Sequence, residues 1–287
     1  MIDDNDDYDE SNERYLPFRS IRDFFAQVNA CTEETFLIFS GVSAAQYEAT
    51  VKSRDRRGLK FKIDLWDGGE LWVTAGISAA HGTLHGFFDD EIYRQVCGMG
   101  LYTDWKRTAS TNYLGNSSGG QGDSSRKPRS QRPSPTAWPT LVLEAGYSQS
   151  MRKLRLKARW WFRASNHEVK IVILTKLFRT SKRIVVEKWT EVLAPQPTAG
   201  VTTRAQCRQL AVQTPTPNCA PKITIEPFPG TTLAQMSSSN SFQVVRAPLV
   251  LEFSLLFLRQ PGQGENDISL GAQTFQAFAA QVWEDVV

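Results

Sequence analysis

The amino-acid sequence predicts an α/β protein with a mixed central β-sheet and helices on its faces. Apolar segments of strand length alternate with amphipathic segments of helix length, in the order helix, strands, helix, strand. The chain has 287 residues and 41% hydrophobic content, which suffices to bury a substantial core. We therefore expect one large domain, with or without an appendage.

The N-terminal half predicts a helix, a hairpin and a longer helix. Residues 17–30 bring their apolar side chains to one face of a helix. The strands predicted at residues 60–65 and 70–74 flank an Asp-Gly-Gly sequence, which is typical of a hairpin turn. A helix over residues 78–97 follows, with Ser78 as its N-cap.

The C-terminal half alternates strands and helices. The predicted strands cover residues 140–144, 169–176, 183–189, 223–225 and 249–258. The predicted helices cover residues 150–164 and 273–285. Strands separated by helices in this way favour a sheet whose faces are covered by the helices.

Composition divides the chain into four parts. Residues 1–13 carry acids and no base and have few apolar side chains, so we expect a disordered acidic tail. Residues 14–195 form the predicted α/β core, in which the Ser-, Gly- and Pro-rich residues 106–137 are expected to be a flexible loop. Residues 196–222 are expected to be a Pro/Thr-rich loop, and residues 223–287 complete the same domain with strands and a helix.

Cysteine usage and hydropathy bear on the compartment. Four scattered cysteines show no zinc-ligand spacing, which indicates a reduced intracellular environment. The N-terminus is acidic rather than basic and apolar, so no signal peptide is predicted. No apolar run approaches the roughly eighteen residues of a membrane span. We therefore expect a soluble intracellular protein, cytoplasmic or nuclear, with no membrane partner.

Positive charge is concentrated in the middle of the chain. Basic residues recur on almost every turn between Arg152 and Lys188, whereas the net charge of the whole chain is only +3. Such a field suits a nucleic acid, and the alternative is a solvated face balanced by acids elsewhere in the fold. The candidate nucleic-acid-binding residues are Arg152, Arg155, Arg159 and Arg163.

Trp160 and Trp161 lie next to each other on the same predicted helix and must point in different directions. Trp161 falls in register with Leu154 and Ala158, so we expect it to pack in the core. Trp160 is expected to be partly exposed among the arginines, where it could stack on bases.

Two carboxylates are the candidate centre of the chemistry. Glu144 ends the apolar strand 140–144, where an unpaired carboxylate would be costly. Asp123 precedes it, near the end of a neighbouring strand, so the two acids can share Mg²⁺ with the carbonyl oxygen of Ala145. A cation held there would activate water and neutralise charge on a phosphate, and a nearby lysine would stabilise that phosphate. The alternative is a salt bridge with the arginine-rich helix.

The order of these motifs resembles the PD-(D/E)XK, or restriction-endonuclease-like, nuclease superfamily. The resemblance is carried by Asp123, by the strand Trp-Pro-Thr-Leu-Val-Leu-Glu-Ala-Gly-Tyr-Ser, and by the helix positions Leu154, Ala158, Trp160 and Trp161. Upstream, an Asp-Gly-Gly-Glu-Leu sequence followed by His81 is similar as well. The likeness is to Uma-type predicted restriction endonucleases of cyanobacteria and to their fungal relatives, and it covers roughly residues 61–189.

The resemblance implies a restriction-endonuclease-like core and a metal-dependent nuclease that hydrolyses DNA with water activated by Mg²⁺ or Mn²⁺. The implied metal ligands are Asp123, Glu144 and Ala145. The lysine of the family motif is missing, because Gly146 stands where it is expected. Lys157 on the following helix corresponds to a lysine that takes that place in Uma-type proteins, and Lys153, one turn earlier, is the substitute candidate.

His81 and His85 form a second candidate pair. Their i, i+4 spacing can bind a metal, although such a pair belongs more often to a helix surface or cap. The first helix of nucleases of this type borders the active site, so the resemblance makes His81 a secondary site candidate.

Two other functions stay open. The missing lysine favours a catalytically inactive relative of the nuclease fold that binds nucleic acid or protein. Charge complementarity suggests a partner-binding protein whose basic helix docks the chain's own acidic tail or another acidic protein. Restriction-type folds often form homodimers, although the sequence contains no obvious interface motif.

Overall fold

The computed structural model describes residues 11–108, 111–115, 117–192 and 215–286. They form an α/β structure in which mixed sheets are flanked by helices, which confirms the predicted fold class. The strands divide between two large sheets and a two-stranded ribbon, where the sequence predicts one central sheet. Within this described part, no helix is both long and apolar enough to cross a membrane.

The elements of the described residues are numbered in chain order. The helices are α1 (Ile21–Asn29), α2 (Ala44–Arg56), α3 (Ala79–Gly98), α4 (Met151–Ala164), α5 (Phe253–Phe257) and α6 (Ala272–Glu284). The first eight strands are β1 (Glu13–Pro17), β2 (Thr35–Ser40), β3 (Lys62–Trp66), β4 (Glu70–Ala75), β5 (Trp105–Arg107), β6 (Tyr113–Leu114), β7 (Gly119–Gly120) and β8 (Ser124–Pro128). The other strands are β9 (Leu141–Gly146), β10 (Ile171–Phe178), β11 (Arg183–Val192), β12 (Thr216–Cys219), β13 (Ile223–Pro227), β14 (Phe242–Val245), β15 (Leu249–Leu251) and β16 (Ile268–Leu270).

The first sheet has the strand order β1-β2-β4-β3-β7-β6. Strands β3 and β4 form the predicted hairpin, and Gly68 and Gly69 adopt positive φ angles in its turn. Along β3, Ile63 and Leu65 pack in a core beneath α1 and α2. Because side chains alternate between the two faces of a strand, Lys62 and Asp64 point away from that core.

The second sheet has the strand order β14-β13-β11-β10-β9-β8-β5, with β12 paired to β11. Strands β9 and β10 are parallel neighbours joined by α4, so the three elements form a β-α-β crossover. Leu141 and Leu143 of β9 face the core that α3 and α6 cover, and Val142 faces the core that α4 covers. Glu144 alternates with these residues and therefore points to the α4 side.

Helix α4 lies between the two sheets. Leu154 and Trp161 pack against the second sheet, whereas Leu156 packs against Phe36 and Trp72 of the first sheet. Ser150 caps the helix by accepting a hydrogen bond from the backbone N–H of Lys153. The helix therefore ties the sheets together at the place where β7 of one leads into β8 of the other.

The C-terminal segment packs in the same core as α3. The rings of Phe88 on α3 and Phe278 on α6 lie 4.4 Å apart, centroid to centroid. The single strand predicted at residues 249–258 is wrong in its second half. Leu251 ends β15, and the apolar residues after it form the short helix α5, whose buried side chains fit either structure by periodicity alone.

The boundary predicted for the acidic tail is wrong by at least two residues. Residues 1–10 lie outside the described part, but Glu13 begins β1, which pairs in parallel with β2. The backbone N–H of Asn12 donates to the carbonyl oxygen of Ser148, and the backbone N–H of Ser150 donates to the Glu13 carboxylate. Backbone pairing of this kind requires no apolar side chain, so composition did not reveal it.

The flexible loop predicted at residues 106–137 is also wrong. Four strands, β5 to β8, include residues of this segment, and all five residues of β8 are buried. Its two cations are paired inside the protein: Arg126 donates to both carboxylate oxygens of Asp89, and Lys127 donates to the carbonyl oxygens of Ser134 and Ala137. These buried pairings make a polar segment an interior strand.

The loop predicted at residues 196–222 falls mostly on residues 193–214, which lie outside the described part. Thr216–Cys219 form β12, which pairs antiparallel with β11, so this part of the loop prediction is wrong.

Candidate active site

Asp123 and Glu144 lie side by side on neighbouring strands of the second sheet. Asp123 immediately precedes β8, and the register that pairs Ser124 with Leu143 sets it opposite Glu144. The Asp123 carboxylate accepts a hydrogen bond of 2.8 Å from the backbone N–H of Ala145. Both carboxylates are buried. The structure therefore brings the two predicted acids together, and Ala145 contacts Asp123 through its N–H group.

Lys62 of the first sheet bridges these two acids. Its Nζ lies 3.0 Å from Asp123 Oδ1 and 2.6 Å from Glu144 Oε2. Burial lowers the pKa of Lys62, but the two carboxylates more than offset this and raise its pKa above the usual value. The ammonium group therefore stays charged. Lys62 and His81 hold the pKa of Asp123 well below its usual value in spite of burial, whereas burial raises the pKa of Glu144 above its usual value.

Lys157 also contacts Glu144, at the same carboxylate oxygen as Lys62. Its Nζ lies 3.0 Å from Asp64 Oδ2 and 3.4 Å from Glu144 Oε2. Trp161 donates its indole N–H to the other oxygen of Glu144 at 2.8 Å. An enclosed cavity of about 10 Å³ borders Asp64, Glu144 and Lys157, which leaves room for about one water molecule. This side of Glu144 is closed to anything larger.

His81 extends the cluster on the other side of Asp123. Its Nδ1 lies 3.0 Å from Glu34 Oε1 and its Nε2 lies 3.4 Å from Asp123 Oδ1. Burial lowers the pKa of His81, but the carboxylates of Asp123 and Glu34 more than offset this and raise the pKa to about 10. Glu34 also accepts hydrogen bonds from Ser78 and Ser148. His81 is thus a buried cation beside Asp123, and the expectation of a surface or capping residue is wrong for it.

His85, one turn along α3, is arranged differently. Its Nδ1 lies 2.9 Å from the Oγ of Ser124, a neutral partner. Burial lowers the pKa of His85 to about 4, and the nearby cations His81 and Lys62 add to this effect. His85 is therefore neutral at physiological pH, in contrast to its neighbour.

An open cleft of about 550 Å³ leads from the surface to this cluster. The side chains of the site that line its floor are Lys62, His81, His85 and Asp123. Its lining also includes the basic side chains Arg54, Lys60 and Arg107, and the carboxylate of Asp55, which pairs with Arg54. Lys60 and Arg107 are exposed, and Arg107 also pairs with Asp89. Basic side chains therefore outnumber carboxylates along the cleft.

The arginines proposed from the sequence do not line this cleft. Arg155 forms a bidentate pair with Glu187, and Arg163 pairs with Asp67. Arg152 and Arg159 are exposed. At 100° per residue, these four positions form one stripe on the face of α4 opposite Lys157. A nucleic-acid contact at this stripe would therefore be separate from the cleft.

Two further expectations about α4 are corrected. The Nζ of Lys153 lies 4.3 Å above the ring of Trp72 on the first sheet, and no contact with Asp123 or Glu144 is found for it among the described residues. Trp160 is buried, and its indole N–H donates to Ser118. The first sheet covers this face of the helix, which a reading of α4 alone does not reveal.

Sequence reasoning missed Glu34, Lys62 and Asp64. A signal was present for the last two, because Lys62 and Asp64 alternate with Ile63 and Leu65 in an apolar strand. Two charges on one face of such a strand call for buried partners, by the same argument that selected Glu144. For Glu34, which precedes β2, the sequence offers no comparable signal.

No protein-family model matches the chain, and no curated protein sequence matches it. Among solved structures, it is similar to a candidate nuclease of the DUF820 family from Anabaena variabilis. The match has a TM-score of 0.35 and 13% sequence identity, and it covers 47% of this chain and 82% of the other.

Proposed function

We propose that this protein is a nuclease that hydrolyses phosphodiester bonds, with DNA as its favoured substrate. Asp123 and Glu144 form its active site. One observation carries the proposal. Two buried carboxylates from adjacent strands converge on a single point, the Nζ of Lys62, and Lys62 and Asp123 line an open cleft with cationic walls. A cleft of this kind suits a polyanionic chain, because its basic side chains can hold the phosphates of that chain near the two acids.

The two acids fit a hard divalent cation such as Mg²⁺ or Mn²⁺. Carboxylate oxygens are its preferred ligands, and Mg²⁺ is commonly held by one or two carboxylates together with water and substrate phosphate. No group of three or more His, Cys, Asp or Glu side chains in the described residues is arranged around a common point, so such a cation would take its other ligands from water and substrate. When bound, it would supply an activated water and charge neutralisation.

The chain's own residues would fix the geometry. The N–H of Ala145 and the imidazolium of His81 orient Asp123, and the indole of Trp161 orients Glu144. Lys60 and Arg107 would contact backbone phosphates at the entrance. Their contribution would be independent of base sequence, since phosphates carry no sequence information.

The test is cleavage of plasmid DNA, single-stranded DNA and RNA by the purified full chain, with Mg²⁺, Mn²⁺ or EDTA. We expect cation-dependent cleavage that Asp123→Asn and Glu144→Gln reduce at least ~100-fold, since each removes charge from the reacting centre. Asp67→Asn, which removes an exposed carboxylate outside the cleft, is the matched control. Gel filtration of the same samples reports whether the active form is a homodimer.

The second candidate is a nuclease fold that binds nucleic acid without cleaving it. The specific observation in its favour is that Lys62 and His81 already neutralise the carboxylates. Salt-sensitive DNA binding by a wild-type protein that cleaves nothing with either cation would select this candidate and overturn the first.

A further inference from the structure

The site contains two lysines, and they stand in different surroundings. We propose that Lys62, and not Lys157, is the functional lysine of this site, and that its ammonium group competes with a divalent cation for Asp123 and Glu144. The catalytic part of this inference rests on the proposed function. The competition for the two carboxylates does not.

Strand β9 has no room for a lysine of its own after Glu144. Gly146 lies two residues further along β9, on the same face as Glu144. A Cβ atom at Gly146 would lie 2.5 Å from Cδ1 of Leu154 and 3.1 Å from the carbonyl oxygen of Gln149. The first distance is shorter than real Cβ contacts and the second is tighter than most of them. Leu154 is fully buried in the α4 core, so it has little room to move away. The amine of the site must therefore come from another element.

The contacts of the two lysines distinguish them. Lys62 reaches both carboxylates and lines the open cleft, so a substrate phosphate in the cleft can approach its ammonium group. Lys157 lies nearer to Asp64 than to Glu144 and borders the small cavity beside Glu144, and it is not among the residues that line the cleft. Lys157 thus neutralises buried acids, whereas Lys62 stands between the acids and the substrate.

The same position makes Lys62 a competitor of a metal ion. Its ammonium group contacts one oxygen of each acid, and a bound cation would need those oxygens as ligands. Two positive charges this close repel each other strongly in a buried site. Removing the ammonium group while keeping the side-chain volume leaves Asp123 with His81, and Glu144 with Lys157, as remaining cationic partners. The two carboxylates then bind a divalent cation more tightly. In the loaded site, the displaced amine would face the cleft and the phosphate.

The first experiment measures Mn²⁺ binding without nucleic acid, by calorimetry and by electron paramagnetic resonance. We expect Lys62→Met to bind Mn²⁺ at least ~10-fold more tightly than the wild type, a difference of ~1.4 kcal/mol. Lys62→Arg, which keeps the charge, should bind no more tightly than the wild type. Lys157→Met should gain less than Lys62→Met, because Asp123 keeps its ammonium partner. An unchanged affinity in Lys62→Met, or an equal gain in Lys157→Met, overturns the competition.

Folding and activity complete the test. If Lys62→Met is unfolded without metal, Mn²⁺ should raise its melting temperature more than that of the wild type, and Lys62→Gln provides a second variant. At saturating Mn²⁺, Lys62→Met should lose cleavage through kcat and retain its DNA affinity. A full kcat in Lys62→Met would overturn the catalytic assignment. If the wild type cleaves nothing, the proposed function fails while the Mn²⁺ measurements still decide the competition.

Discussion

The two histidines of α3 are one helical turn apart and ionise in opposite directions. His81 lies between two carboxylates, which raise its pKa to about 10 in spite of burial. His85 has a serine hydroxyl as its partner, and burial lowers its pKa to about 4. The partner of each ring, rather than its position in the sequence, decides which one carries charge at neutral pH.

The depressed pKa of His85 predicts a pH dependence of stability. The unfolded chain takes up this proton near pH 6.5, the usual value for histidine, but the folded chain does so only near pH 4. Between these values the unfolded state binds more protons, so the free energy of unfolding should fall as the pH is lowered from about 6.5 to 4. This single group contributes a slope of at most ~1.4 kcal/mol per pH unit.

Urea unfolding of the wild type and of His85→Gln across this pH range measures that contribution. For each protein, the free energy of unfolding is plotted against pH. The difference between the two slopes gives the contribution of His85 alone, because the other titrating groups are common to both proteins. A titration of the His85 ring by nitrogen-15 NMR reports its pKa directly. Equal slopes, together with a His85 pKa near 6.5, would contradict the prediction.

A residue of the site could be predicted from the sequence when a charged side chain stands among apolar neighbours. Glu144 stands at the end of an apolar strand, and Asp123 precedes it at a distance that a strand pair can close. Lys62 and Asp64 carried a comparable signal that was not used. Glu34 could not have been found, because its role depends on Ser78, His81 and Ser148 meeting in space.

At the scale of elements, β8 shows why composition predicted a loop. The strand reads Ser-Ser-Arg-Lys-Pro, and none of its side chains is apolar except the proline. Periodicity identifies strands by their apolar face, so it cannot detect a strand whose buried side chains are polar and paired. The β3–β4 hairpin and the α4 crossover were predictable because turn residues and helical spacing are local signals.

Lys127 provides the energetic test of this buried polar strand. Its ammonium group donates to the carbonyl oxygens of Ser134, Pro135 and Ala137, which fold the following segment back over the strand. Lys127→Met would leave these carbonyl groups without their donor, and we expect it to lower the free energy of unfolding by roughly 3 kcal/mol.

The matched control is Lys106→Met on β5. Lys106 pairs with Lys127 in the strand register but is exposed, so its loss should change stability by less than ~0.5 kcal/mol. Chemical unfolding followed by tryptophan fluorescence compares both variants with the wild type. Similar stabilities of the two variants would show that the Lys127 contacts do not stabilise the fold.

At the scale of the whole molecule, the site lies where the two large sheets meet, a boundary called the seam below. Lys62 and Asp64 come from the first sheet, and Asp123 and Glu144 come from the second. Charges that each sheet could not bury alone neutralise each other across the seam. The same seam opens on one side into the cleft, so the packing of the two sheets and the access of a substrate are set by the same residues.

The position of the cleft predicts which basic surface binds nucleic acid. Lys60→Gln combined with Arg107→Gln removes two positive charges from the cleft walls, and Arg152→Gln combined with Arg159→Gln removes two from the exposed stripe of α4. If the proposed function is right, the cleft variant should bind DNA at least ~10-fold more weakly at low salt. Its plot of log affinity against log salt should be shallower by about 2, because two phosphate contacts are lost.

Fluorescence anisotropy with a labelled duplex over a range of salt concentrations compares the two double variants, which carry the same net charge. The stripe variant should keep the affinity and salt dependence of the wild type, because its arginines do not line the cleft. If the stripe variant weakens binding and the cleft variant does not, DNA binds along α4, away from Asp123. Binding there could not bring a phosphodiester to the two carboxylates, and the nuclease proposal would fail together with the assignment of the cleft.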